Sequence, residues 1–173
     1  MNTKRRIDFT IEEKYDGKRV VDFLKGKAKA SARLITKLKH DYDGIMLNGV
    51  HIRTIDLLKT GDILSITLPV DKEEQTNAVE PLPYPLKVFY EDEDLLIIDK
   101  PASMPIHPSM YHYEDSVASL VMGYYAQKGQ SFVFRCVNRL DNGTSGLCVI
   151  AKHAYAHEML KHQLHSNEFE RKY

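Results

Sequence analysis

Two stretches in the first third of the chain carry apolar residues at helical spacing. The first runs from Val20 to Leu24. In the second, Leu34, Ile35 and Leu38 fall on one face, and Ser31 stands before them as an N-cap. The pattern therefore predicts two short amphipathic helices, the second of which begins at Ser31.

The next stretch has the spacing of β-strands. The triplets Ile45-Met46-Leu47 and Val50-His51-Ile52 flank Asn48-Gly49, a dipeptide typical of two-residue hairpin turns. Leu64, Ile66 and Leu68 then alternate with polar or exposed positions. We expect a hairpin followed by a further strand.

A second set of elements follows after residue 85. We predict two strands, a helix, two more strands around a turn, a helix and a final strand. In order these are strands at 86–90 and 95–99, a helix capped by Ser116 or Asp115 with Val117, Leu120, Val121 and Tyr124 on one face, strands at 133–137 and 147–151, a helix near 154–164, and a strand at 168–173.

The stretch between these two sets has no apolar period. It is charged and then rich in proline, with Pro81, Pro83 and Pro85, which is typical of a semi-extended linker. We therefore divide the chain into a domain at 1–70, a linker at 71–85 and a second domain at 86–173.

Length and composition indicate a globular chain. Its 173 residues are 43% apolar, enough for one ordinary domain or two small ones. No apolar run approaches membrane-spanning length, and the N-terminus lacks the apolar stretch of a secretory signal, so we expect a cytoplasmic protein. Nothing in the sequence indicates an oligomer, and we take a monomer as the default. Cys136 and Cys148 are expected to be reduced core thiols, although a disulfide could form if their strands pair.

Charge is unevenly distributed along the chain. Residues 1–72 carry 15 Lys and Arg against 10 Asp and Glu, whereas residues 73–173 carry 9 against 14. Between Lys18 and Lys39 there are eight basic residues and one acid, Asp22. Ordinary surfaces intersperse both signs, so this imbalance indicates attraction to phosphate by the first domain.

The candidate chemistry lies at Arg139-Leu140-Asp141, which leads into the turn Asn142-Gly143-Thr144-Ser145-Gly146. A carboxylate two residues from a guanidinium, held on a glycine-containing turn between strands, is a common way to display a catalytic acid or nucleophile. On spacing alone a surface ion pair beside a hairpin is the favoured interpretation, because Arg and Asp are common near turns.

These residues resemble a known signature. Arg139-Leu140-Asp141, with Thr144-Ser145-Gly146-Leu147 and Ala151-Lys152 after it, is similar to the signature of the RluA-type pseudouridine synthases. Upstream, Leu96 to Pro101 and Pro105 to Pro108 resemble the strand and loop that open that family's catalytic domain. Two motifs in the right order are more specific than either alone.

The resemblance implies roles for individual residues. Asp141 would be the catalytic carboxylate, Arg139 would take the place of the extruded base and contact phosphates, and Tyr173, in Arg171-Lys172-Tyr173, would be the general base. The residues expected to contact the substrate are His107, Asn138, Leu140, Thr144 and Ser145. The reaction requires no cofactor and no metal, and neither a dinucleotide nor a P-loop fingerprint occurs.

The first domain has a resemblance of its own. Residues 16–69 are similar to the S-four-like RNA-binding domain first described in a ribosomal small-subunit protein, with Ser31 and Arg33 one position out of step with the family's Ser-Arg. The expected RNA contacts are Lys18, Arg19, Lys29, Ser31, Arg33, Lys37, Lys39 and Asn48. The partner would be RNA, with ribosomal RNA favoured over transfer RNA.

Together these observations predict an α+β protein, with a small α/β RNA-binding domain followed by a partial, mixed but mainly antiparallel catalytic sheet with flanking helices. The family's catalytic domain continues past the Lys-x-Tyr strand. We therefore expect a truncated enzyme that turns over its substrate poorly or not at all. Two rivals stay open: a noncatalytic RNA-binding protein, and a hydrolase that uses Asp141 and His107. His153 and His157 have the spacing of helical metal ligands, but a solvated helix face is favoured.

Overall fold

The structure is a computed structural model, and it describes residues 4–70, 81–82, 85–108 and 115–166. The described residues up to Val70 form one compact unit, and those after it form a second. The predicted final strand at 168–173 and most of the predicted linker lie outside the described residues.

The first unit is built on a four-stranded antiparallel sheet of order β1-β4-β2-β3. β4 is central and almost wholly buried, because β1 and β2 pair with its two edges. Its elements are β1 (Arg6–Thr10), a 3-10 turn (Glu13–Tyr15), α1 (Val20–Gly26), α2 (Ala32–His40), β2 (Ile45–Leu47), β3 (Val50–His51) and β4 (Ile63–Thr67).

Local chemistry explains the boundaries in this unit. Ser31 accepts a hydrogen bond from the Leu34 amide at 3.3 Å, so it caps α2 as predicted. Asn48 and Gly49 both have positive φ, 52° and 82°, which is the conformation of a two-residue hairpin turn, and Leu47 pairs with Val50 across it. Both predictions are confirmed.

The second unit is a three-stranded antiparallel sheet between two helices. The strand order is β5-β6-β7, and the elements are β5 (Val88–Glu91), β6 (Leu95–Lys100), α3 (Val117–Gln127), β7 (Gly146–Ala151) and α4 (Ala154–His165). Leu96 and Ile98 of β6 pack in one cluster with Val117 and Val121 of α3, whereas Val149 and Ala151 of β7 pack in another with Ala156 of α4.

The α+β class is therefore confirmed, and every strand pair in the described part of the chain is antiparallel. None of the described helices is both long enough and apolar enough to cross a membrane.

Two details differ from the sequence prediction. Tyr125 of α3 is buried, whereas Tyr124, which we placed on the apolar face, is half-buried. The reason is that Tyr125 lies two turns after Val117 on the face that packs against β6, and its ring stacks on Phe132 with centroids 4.0 Å apart. The predicted strand at 133–137 has only one bridge, Cys136 with Ile150.

Candidate active site

An extended segment, residues 135–138, leads into the candidate motif. It pairs with the edge of β7 opposite to β6. The Val137 amide donates to the Val149 carbonyl at 2.8 Å, and the Ala151 amide donates to the Arg135 carbonyl at 2.9 Å. Backbone pairing to β7 thus fixes the direction in which the chain reaches residue 139.

Asn138 ends this pairing through its side chain. Its Nδ2 donates to the Leu147 carbonyl at 2.9 Å, and its Oδ1 accepts from the Val149 amide at 2.7 Å. The side chain is buried and takes the place of a backbone pair, so the chain is free to turn away from β7. The structure gives Asn138 a positioning contact, and its predicted contact with substrate stays a prediction.

Arg139 and Asp141 are both exposed, whereas Leu140 between them is half-buried and packs against the α3 side of the core. The Thr144 amide donates to the Asp141 carbonyl at 3.0 Å and closes the turn. Within the part of the chain that the structure describes, no ion pair involves Arg139 or Asp141. The surface ion-pair interpretation of their spacing therefore finds no support.

The buried side chain of Lys100 fixes this turn through hydrogen bonds. Its side chain is 0% exposed, and its Nζ donates to the carbonyls of Met104, Pro101 and Asn142 at 2.7, 3.0 and 3.3 Å. The Ser103 amide donates to the same Asn142 carbonyl at 2.8 Å. The carbonyl next to Asp141 is thus held by two donors from the loop that follows β6.

Sequence reasoning treated Lys100 only as part of a motif. The signal that could have found its role is strand parity, because Leu96, Ile98 and Lys100 lie on the same face of β6 and all three are buried. A lysine on the apolar face of a strand must find its own hydrogen-bond acceptors.

His107 lies beside Arg139, on a loop that is fixed to the start of α3. The amides of Val117 and Ala118 donate to the carbonyls of Pro105 and Ile106 at 2.9 and 3.1 Å. The His107 ring meets Phe134 edge to face, with centroids 5.3 Å apart. Burial and then the positive charge of Arg139 lower the pKa of His107, which favours the neutral imidazole.

The remaining predicted substrate contacts lie on the same turn. Thr144 is half-buried, and Ser145 is exposed. Ser145 also lines a cavity of about 750 Å³ on the α3 side of the sheet, together with Lys100, Met104 and Val117. Asp141 is not among the residues that line this cavity. Tyr173 lies outside the described residues.

The two cysteines of this region are free thiols, as predicted. Cys136 donates to the Asn138 carbonyl at 2.9 Å, and Cys148 is fully buried in β7. A hydrogen bond with Cys148, together with burial, raises the pKa of the Cys136 thiol. Both act as small core residues behind the Arg139–Asp141 turn.

The histidines of α4 have structural contacts. His153 caps the helix, since its Nδ1 accepts from the Ala156 amide at 3.0 Å, and its Nε2 lies 2.8 Å from Asp94 Oδ1. Among the described residues no group of three or more His, Cys, Asp and Glu side chains could hold a metal ion.

The eight predicted RNA contacts of the first unit divide into two groups. Three have structural partners: Ser31 caps α2, Asn48 bonds Asp62 at 2.8 Å and the Ile63 amide at 2.9 Å, and Arg19 pairs with Asp22 at 2.9 Å. The others are exposed and take no part in an ion pair with any described residue; they are Lys18, Lys29, Arg33, Lys37 and Lys39.

Comparison with known proteins assigns the second unit to a class. A sequence model of the family described as RNA pseudouridylate synthase matches residues 94–173, which include β6, the Arg139–Asp141 turn and α4. The chain belongs to the RNA pseudouridine synthase family.

Individual relatives extend the similarity across most of the chain. It is 33% identical over 148 residues to the "Uncharacterized RNA pseudouridine synthase YjbO" of Bacillus subtilis (strain 168), covering 86% of this chain and 52% of that protein. It is 34% identical over 174 residues to YhcT of the same organism, covering 100% of this chain and 56% of that protein. The "Ribosomal large subunit pseudouridine synthase D" of Escherichia coli (strain K12) is 33% identical over 113 residues, covering 65% of this chain and 34% of that protein. The chain spans about half the length of the Bacillus relatives it matches.

Proposed function

We propose that this chain isomerises specific uridines in structured RNA to pseudouridine, with Asp141 as the catalytic carboxylate. The reaction breaks the bond from C1′ to N1 of uracil, forms a bond from C1′ to C5, returns a proton to N1 and releases the C5 proton to water. A carboxylate can attack the sugar or base, or stabilise the detached state. The supporting observation is that Asp141 stands exposed on a turn whose next carbonyl is fixed by Lys100 and Ser103.

Arg139 is proposed to fill the space of the flipped uridine. An enzyme that acts on a base within folded RNA must take that base out of its stack. A guanidinium can enter the gap and also bind neighbouring phosphates. Arg139 is exposed beside His107, and the lowered pKa of His107 favours the neutral imidazole, which adds no second charge that would repel the guanidinium.

The other substrate roles extend this proposal. His107, Leu140, Thr144 and Ser145 border the turn, and Asn138 positions it. Tyr173 is proposed as the general base that removes the C5 proton. The Asp141–His107 hydrolase is disfavoured, because the His107 ring packs edge to face on Phe134 and the structure gives no hydrogen bond between His107 and Asp141, both of which it describes.

The first unit is proposed to be an S-four-like RNA-binding domain. The support is its set of exposed basic side chains without ion-pair partners among the described residues, which suits contact with the phosphate backbone. Ribosomal RNA is the favoured substrate, with transfer RNA next. The name of the Escherichia coli relative, a ribosomal large subunit pseudouridine synthase, agrees with ribosomal RNA.

The rival is a noncatalytic RNA-binding protein, and the observation that favours it is the set of exposed basic side chains in the first unit. The test uses the 173-residue chain and ribosomal and transfer RNA transcripts that carry tritium at C5 of uridine. Tritium release into water reports the reaction directly. The proposal expects release by the wild-type chain and by Glu158→Gln, an exposed carboxylate change on α4, and at least a 100-fold lower rate for Asp141→Asn.

Two outcomes overturn the proposal. If Asp141→Asn releases tritium at the wild-type rate, Asp141 is not the catalytic carboxylate. If the wild-type chain binds the transcripts but releases no tritium from any of them, the noncatalytic RNA-binding function replaces the enzymatic one.

A further inference from the structure

Tyr42 is held in an unusual position on the surface of the first unit. Its side chain is 82% exposed, the highest value among the large apolar and aromatic residues that the structure describes. Its ring nevertheless has a fixed orientation, because it stacks on His51 of β3 with an interplanar angle of 8° and a centroid distance of 5.7 Å. At this centroid distance the two parallel rings are offset, so the imidazole lies beside one face of the tyrosine and most of the ring stays open to solvent.

A hydrogen bond strengthens the pairing. His51 Nδ1 lies 2.9 Å from the Tyr42 carbonyl, and because a carbonyl can only accept, Nδ1 carries the proton and donates. The imidazole is thus tied to the backbone of the residue on which it stacks. Two aromatic rings are pre-ordered in parallel at the surface, and their ordering costs no further side-chain entropy when a ligand arrives.

The surroundings supply positive charge. Arg33, Lys37 and His40 recur at i, i+4 and i+7 on α2, and all three are exposed; we call them the α2 basic stripe. Tyr42 follows the last of them by two residues, so its Cα lies within about 8 Å of that of His40. Of the two acids that flank Tyr42, Asp43 is neutralised by Lys4 at 2.9 Å, which leaves Asp41.

We infer that the Tyr42–His51 pair is a stacking platform for an unpaired nucleobase, and that the α2 basic stripe holds the adjoining phosphates. Every base has a π-face that can stack on an aromatic ring, and basic side chains beside such rings track the backbone of single strands. A base paired within a duplex has both faces covered by its neighbours and could not use the platform. The inference rests on the proposed action on RNA. It adds that the first unit binds single-stranded segments or loops.

The chain offers a clean fluorescence test, because it contains no tryptophan. Tyr42→Trp places a single indole at the platform, and Phe89→Trp, at a position 70% exposed on β5 of the other unit, is the matched control. Each variant of the full chain is titrated with a 12-nucleotide single-stranded RNA and with a duplex of the same length. We expect quenching of the indole at position 42 by the single strand only, and little change at position 89.

Affinity gives a second measurement. Tyr42→Ala is expected to weaken binding of the single strand by about tenfold, the size of one lost base stack, whereas Tyr42→Phe should keep wild-type affinity. Circular dichroism checks that both variants stay folded. Binding of the single strand without quenching at position 42, or equal affinity for Tyr42→Ala and wild type, would overturn the platform.

The outcome separates the platform from the proposed enzyme. If RNA binds equally well to wild type and Tyr42→Ala, the platform is disproved and the proposed isomerase is unaffected. If RNA quenches the indole at position 42 but no tritium is released from uridine, the platform is supported and the isomerase is disproved.

Discussion

Two carboxylates in the second unit, Glu91 and Asp141, have opposite surroundings. Glu91, at the end of β5, is largely buried, and four donors surround it. Tyr124 Oη donates at 2.6 Å, Tyr125 Oη at 2.9 Å, Lys152 Nζ at 3.0 Å and Lys128 Nζ at 3.1 Å. Burial alone would raise the pKa of Glu91, but these hydrogen bonds lower it to about 2.

Asp141 is exposed, and the structure records no side-chain hydrogen bond to it from any described residue. Its backbone, by contrast, is fixed, because Thr144 bonds its own carbonyl and Lys100 and Ser103 bond the next one. Glu91 is thus a carboxylate whose bonding capacity is used within the fold. Asp141 is one whose backbone is fixed and whose carboxylate oxygens accept no hydrogen bond from the described residues.

The contrast separates side chains that stabilise the fold from the side chain proposed for catalysis. Glu91 joins β5, the end of α3 and the residue after β7 at one end of the sheet, and Lys100 joins the loops at the other end. Side chains with saturated hydrogen bonds hold the framework, so their removal should lower stability. A side chain without partners contributes little to stability, so its removal should affect only ligands and substrates.

The largest effect on stability is expected for Glu91→Gln. The change keeps the volume of the side chain but leaves Lys128 and Lys152 without their counter-charge, and we expect a loss of about 3 kcal/mol in the second unit. Hydrogen exchange of amides in β5 to β7 measures it, and the β4 amides of the first unit serve as an internal reference. Equal exchange rates in variant and wild type would show that the Glu91 cluster is dispensable.

The pH dependence sharpens the same prediction. Because folding lowers the pKa of Glu91 from 4.5 to about 2, its contribution is fully present above pH 4.5 and is lost as the pH falls toward 2. Wild type and Glu91→Gln should therefore differ at pH 7 and converge near pH 2. Glu158→Gln, at an exposed position, should follow wild type at both pH values.

The second prediction concerns Lys100→Met. The substitution fills most of the space but removes the three hydrogen bonds from the buried Nζ to backbone carbonyls, and we expect a loss of about 2 kcal/mol. The Asn142 carbonyl keeps only the Ser103 amide, so the Asp141 turn should also exchange its amides faster.

Lys87→Met is the matched control, because Lys87 is also a lysine of the same unit but is exposed and pairs with Asp99 at the surface. A surface pair of this kind contributes about 0.5 kcal/mol. If both variants lose the same stability, Lys100 is not an anchor of the turn.

The features that could be predicted from the sequence are those fixed by nearby residues. The Asn48-Gly49 turn needs only two residues of positive φ, and the cap of α2 needs only Ser31 three positions before its partner amide. The order of helices and strands follows from apolar spacing for the same reason.

The features that were missed depend on partners distant in the chain. Asn138 replaces a backbone pair only because β7 lies beside it, so nothing local distinguishes it from a substrate contact. Tyr125 is buried because it packs in one cluster with Leu96 and Ile98 of β6 and its ring stacks on Phe132. Spacing along one helix cannot show that these residues meet it.

The smallest effect on stability is expected for Asp141→Asn, the same variant that should abolish tritium release. Its carboxylate has no hydrogen-bond partner among the described residues, and its backbone contacts do not depend on the side chain. Hydrogen exchange in β6 and β7 should therefore stay within about 0.5 kcal/mol of wild type, as for other exposed substitutions. A loss as large as that of Glu91→Gln would mean that Asp141 supports the fold, and any loss of activity would then report unfolding rather than chemistry. A stable but inactive variant is the result that assigns the two carboxylates different tasks.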